Sequence, residues 1–101
     1  MGQRKYPPLT PSEVEAIATS LGFAHKNQVG SHRSYERLAS NGRPRAIITI
    51  DMGEDDFNEF LIKSMIHQST FTREQFYGAT KRTASKASVK RFKLSAAPEQ
   101  E

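Results

Sequence analysis

One histidine has the right company for chemistry. His32 follows Gln28-Val29-Gly30-Ser31, and Arg33, Tyr35, Arg37, Arg43 and Arg45 come after it, with Lys26 shortly before. An imidazole titrates near neutrality, so it can take the proton of a ribose 2′-hydroxyl or hand one to a leaving oxygen. Guanidinium and ammonium groups can hold a phosphate and stabilise the charge that builds on a pentacovalent phosphorus. Together these are the parts of a metal-free RNA cleavage that leaves a 2′,3′-cyclic phosphate and a 5′-hydroxyl. Tyr35 suits base stacking or a half-buried strand position equally well. A single strand histidine is more often a surface residue with no role, so these residue types alone leave the choice open.

Other chemistries find little support. There is no cysteine, and the three histidines, His25, His32 and His67, show no HxxxH spacing, so no metal and no cofactor is expected. No Gly-rich phosphate loop, Ser/His/Asp spacing or catalytic carboxylate pair stands out. His25 and His67 read as surface residues. The acidic run Glu54-Asp55-Asp56 is expected in the first turn of a helix, where the macrodipole favours negative charge without any metal.

The elements that must position His32 follow from capping, period and turn chemistry. Thr10-Pro11-Ser12-Glu13 is a capping box with proline at the first helical position. Val14, Ile17, Ala18 and Leu21 form one apolar stripe, and Gly22 sits where a left-handed C-cap belongs. From Phe23 the period becomes two, giving a strand over 23–28, a turn at Val29-Gly30 and a second strand over 31–38. That strand places His32, Ser34, Glu36 and Leu38 on one face and Ser31, Arg33, Tyr35 and Arg37 on the other. Asn41-Gly42 is a strong hairpin signal, leading into the β-branched run Arg45–Ile50. Phe57, Phe60, Leu61, Ser64 and Met65 then mark a second helix with Ile62 and Ile66 beside it, and Phe57, Phe60 and Phe71 are expected in the core. Thr72-Arg73-Glu74-Gln75 is a second capping box, ahead of Phe76 and Tyr77.

The order is therefore α–β–β–β–α, an α+β domain with both helices on one face of a three-stranded antiparallel sheet. This is the layout of double-stranded-RNA-binding-type domains. Residues 1–9 read as an extended lead-in, 10–77 as the domain, and 78–101 as a basic tail without fixed structure.

Composition narrows the setting. The length suits one domain, and no apolar run approaches the roughly 18 residues that suggest a membrane-spanning helix. No basic start leads into an apolar stretch, so a cytoplasmic protein is expected. The net charge of +4 conceals an acidic segment over 51–77, net −4, between two stretches that are each net +4. Basic surfaces of that kind suit a polyanion, nucleic acid being the commonest, but ordinary solubility charge explains them equally well, so charge alone leaves the partner open.

Leu21-Gly22-Phe23, Gln28-x-Gly30-Ser31-His32, Tyr35, Asn41-Gly42-Arg43 with its β-branched strand, and the closing Thr72–Phe76 segment together resemble the HicA toxin family of bacterial toxin–antitoxin systems. The resemblance covers about residues 12–77. It implies a double-stranded-RNA-binding-like fold, ribosome-independent mRNA endonuclease activity and neutralisation by a HicB-like antitoxin. The family's catalytic histidine corresponds to His32, with Gly30 and Ser31 as its supporting turn. Lys26, Arg33, Tyr35, Arg37, Arg43 and Arg45 are the expected RNA contacts. This chain departs from the family at Ile50–Asp56, acidic where the family is basic, so either this edge faces away from RNA or nuclease action is lost. The alternatives are a non-catalytic RNA-binding module of the same fold, or a protein-interaction domain whose segment 51–59 docks a basic partner.

Overall fold

Helix α1 (Pro11–Ser20) starts at the capping box: Thr10 Oγ1 accepts from the Glu13 N–H, and Glu13 Oε1 accepts from the Thr10 N–H. It stops in a Schellman motif, in which Gly22 N–H donates to Thr19 and Phe23 N–H to Ala18, while Gly22 takes a φ of +91°. This computed structural model describes residues 5–40 and 42–94. Strands β1 (Ala24–Val29), β2 (His32–Arg37) and β3 (Ala46–Asp51) follow, then α2 (Glu59–Ser69), α3 (Arg73–Gly78) and α4 (Lys81–Ala87). The sheet is antiparallel in the order β1-β2-β3. The small α+β fold with a three-stranded antiparallel meander is as expected from the sequence, with two further short helices.

The core lies against one face of the sheet. Ala46, Ile48 and Ile50 alternate inward from β3 and meet Val14, Ile17, Ala18 and Leu21 of α1, Ile62 and Met65 of α2, and Phe76 and Tyr77 of α3. Between them on β3, Thr49 is exposed and Ile47 only half-buried, which is the period of a sheet covered on one side.

Three expectations need correction. The acidic run does not open α2, because Phe57 is held extended by donating its N–H to Leu9 (2.8 Å) and Asn58 is the N-cap. The buried stripe of α2 is accordingly Ile62, Met65 and Ser69, which turns Phe60 outward at 77% exposure. Of the lead-in, residues 5–9 are described: Leu9 is fully buried and Pro7 O accepts from the Tyr77 hydroxyl at 2.8 Å. Residues 1–4 and Asn41 lie outside the described residues.

The third concerns the tail. Residues 81–87 form α4, capped by Thr80, and bury Thr83, Ala84 and Ala87; a strap over 89–94 then packs Val89, Phe92 and Leu94 on the core. Alanine and threonine are small enough for the helix to lie close, and its cations have a destination. Lys86 and Arg82 both reach the Glu13 carboxylate at 2.7 Å, and Lys86 also donates to Pro8 O. The remainder of the tail, 95–101, is outside the described residues.

Two consequences can be measured. A Cβ on Gly78 would stand 2.3 Å from the Lys90 carbonyl oxygen and 3.2 Å from the Phe92 nitrogen. Gly78→Ala should therefore cost about 1–3 kcal/mol in thermal unfolding and open Lys90, Arg91 and Lys93 to trypsin; a variant as stable and resistant as wild type would place the strap elsewhere. The second concerns Glu13, only 7% exposed. Burial pushes its carboxyl up, but the Lys86 ammonium, the Thr10 N–H and the Arg82 guanidinium together outweigh that and hold it below the usual range. Since the folded state has the lower pKa, this stabilisation is complete above the unfolded value of about 4.3 and fades as pH falls through the folded value. Arg82, 80% exposed, is screened and adds little, so Glu13→Gln should lose about 1–3 kcal/mol at pH 7. It should also flatten the acid limb of stability against pH; an unchanged limb would contradict this account.

Candidate active site

His32 begins β2, immediately after a two-residue reversal. Gly30 occupies the first turn position with φ +61°, which glycine accepts without a Cβ penalty, and Val29 pairs with His32 across it. Gln28 clamps this turn, its Nε2 donating to Gly30 O (2.9 Å) while its Oε1 accepts from Arg33 Nε (3.2 Å). The Gln-x-Gly-Ser-His string is thus a hairpin with its own side-chain brace.

The partner of His32 comes from β3. The second reversal is closed by Ser40 and Arg43, which exchange backbone hydrogen bonds, with Gly42 at φ +82°. Pairing outward from it sets Arg37 opposite Ala46, Tyr35 opposite Ile48 and His32 opposite Asp51. Asp51 Oδ1 accepts from Ser31 Oγ (2.8 Å) and from the Gly53 N–H (3.0 Å), and Met52 N–H donates to Ser31 O (2.7 Å). These bonds leave Asp51 Oδ2 facing His32 Nε2 at 3.7 Å, within ion-pair range and beyond a direct hydrogen bond. The Ser31 hydroxyl first, then the Gly53 N–H and the charge of His32, hold the Asp51 carboxyl below its usual range. It is an anion that can steady an imidazolium.

The pair opens on a cleft of about 250 Å³ between the end of β3 and α2, walled by Thr49, Phe57, Leu61, Met65 and Gln68 with Glu54 at its rim. Drug-sized ligand pockets run to about 300–1,000 Å³, so this one suits a single nucleoside or side chain. Among the described residues no three His, Asp or Glu side chains converge as metal ligands would.

The arginines are not gathered round His32. Arg33, Tyr35 and Arg37 share the covered face of the sheet with Ile50, Ile48 and Ala46. Both Arg33 and the Tyr35 hydroxyl donate to Glu15 Oε2 of α1, and the Tyr35 bond, ahead of the Arg33 one, holds that carboxyl below its usual range. Tyr35 and Arg37 are each 6% exposed, so neither serves as a surface RNA contact in this conformation. Arg43 stacks on Phe71. Lys26 and Arg45 do share the open face with His32, where both engage Glu36. His25 packs edge-on against Tyr35.

Asp51 is the functional candidate that residue-type reasoning missed: the acidic edge does not face away from the site, since Asp51 and Glu54 both border the His32 cleft, and one of its carboxylates is the partner of the imidazole. The signal was present: a two-residue turn at Asn41-Gly42 pairs residues equidistant from it, and His32 and Asp51 are equidistant. No family model and no curated protein matches this chain. If Ser31 is what fixes Asp51, Ser31→Ala should raise the Asp51 pKa toward the ordinary value of about 3.9, read by carboxyl carbon-13 titration. An unaltered titration would remove Ser31 from the site.

Proposed function

We propose that this chain is a metal-independent endoribonuclease of the toxin type, similar to HicA proteins, acting on mRNA in the cytoplasm and neutralised by a HicB-like antitoxin. The observation that carries the reading is the His32–Asp51 pair, braced by Ser31 and Gly53, at the mouth of a nucleoside-sized cleft. Neutral His32 takes the 2′-hydroxyl proton, the 2′-oxygen attacks phosphorus, and the 5′-oxygen departs with the proton that the imidazolium returns. The products are a 2′,3′-cyclic phosphate and a 5′-hydroxyl. Asp51 stabilises the imidazolium in between. Lys26 and Arg45 are the cations on that face, with side chains 41% and 53% exposed, free enough to leave Glu36 for a phosphate.

One observation favours a second reading, a protein-docking domain. Asp51 and Glu54 rim a cleft with the apolar walls Phe57 and Leu61, and Phe60 projects nearby on α2. A basic partner segment with an apolar side chain would suit it.

The deciding measurement is cleavage of a long unstructured RNA by the purified chain in EDTA, beside His32→Ala matched for folding. Wild-type cleavage that falls by about 10²–10⁴ in the variant is expected for a general base, with a smaller loss for Asp51→Asn. Binding without cleavage by either protein would leave an RNA-binding module. Neither binding nor cleavage would favour the docking reading.

A further inference from the structure

Among the described residues, the covered face of the sheet holds a buried cation with no counter-ion. Arg37 is 6% exposed, and of its guanidinium only Nη2 has an acceptor, Thr70 Oγ1 at 3.0 Å; Nε and Nη1 have none. Its guanidinium lies against Phe23 and Phe71, with centroid distances of 5.3 and 5.4 Å. Arg43 stacks on the same Phe71 ring at 4.2 Å. Burial first, and then the like charge of Arg43, disfavour the protonated form of Arg37. Thr70, which supplies the lone acceptor, is a β-branched residue at φ +66°, an uncommon conformation for that side chain. Buried charges are ordinarily paired, and orphaned buried donors cost heavily. Here two like charges share one ring, and no described carboxylate joins them.

We propose that Arg37 and Arg43, backed by Phe71 and Thr70, form a binding site for a phosphate group. A carboxylate would neutralise one of the two cations. A phosphate monoester carries close to two negative charges and three acceptor oxygens, matching two guanidinium forks. Half-buried Arg43 is the solvent-side member of the pair. The site is separate from the His32 cleft: it lies on the other face of the sheet, and Arg37 is about 17 Å along β2 from His32 at the usual strand rise. It does not depend on the nuclease reading.

The test is thermal unfolding of the full chain at pH 7 in sodium phosphate against sodium chloride of equal ionic strength. At about ten times Kd, phosphate should raise the midpoint by roughly 5 °C or more. The rise should vanish in Arg43→Gln and persist in Lys81→Gln, an exposed lysine of α4. Equal midpoints for wild type in the two salts, or a rise that survives in Arg43→Gln, would overturn the site. Should Arg43→Gln fail to fold, Arg43→Lys keeps the charge without the fork, and phosphorus-31 titration should show binding at least about tenfold weaker; undiminished affinity would equally overturn the site. An oligouridylate without terminal phosphates separates the sources. A phosphodiester carries one charge, as a carboxylate does, so failure to displace phosphate is expected and assigns the site to a free phosphate or phosphomonoester; displacement would overturn that assignment.

Discussion

The pairing of β2 with β3 grows outward from the reversal closed by Ser40 and Arg43, and nearly every functional statement depends on that register. Strand side chains alternate with a period of two, so a slip of one residue would exchange the faces completely. His32 would then lose Asp51, and Ile48 and Ile50 would turn to solvent. The hydrophobic demand of β3 and the geometry of the turn agree on one alignment. The same alignment that buries the isoleucines sets imidazole against carboxylate.

Much of this architecture was legible because it rests on local rules. Both capping boxes, the left-handed Gly22 and the alternation of β2 depend on neighbours within a few residues, so residue order suffices to read them. Phe60 was misplaced for a tertiary reason: extended pairing of Phe57 with Leu9 delays α2 and rotates its buried stripe. The tail was misread because its low apolar content suggests a solvated segment. Its order comes from small residues packing closely and from cations that find Glu13, about seventy positions earlier. At the site, His32 and its turn were legible by type and spacing. Asp51 needed the register applied as arithmetic, and the inward turn of Arg33, Tyr35 and Arg37 needed the knowledge of which face α1 covers.

Two populations among the basic residues bear on the His32 site, and the net charge does not separate them. Arg33, Arg82 and Lys86 are structural cations, each tied to a glutamate of α1. Lys26 and Arg45 stand on the open face, and Glu36 restrains them without burying them. A count of arginines near a histidine in sequence therefore overstates the positive field that a ligand at His32 would meet. What remains is a weaker cationic border beside a braced acid–base pair.

The ties between Glu13 and α4, and between the lead-in and Tyr77 or Lys86, also set the order in which the molecule can form. These contacts join residues separated by about seventy to eighty positions, whereas the two hairpins need only local closure. Loop-closure entropy must be met before distant contacts repay it. The meander carrying His32 and Asp51 can therefore assemble early, while α1 gains its last anchors after Lys86 has left the ribosome. Between the synthesis of Asp51 and that of Lys86 the chain would hold a formed meander under an incompletely fastened helical cover.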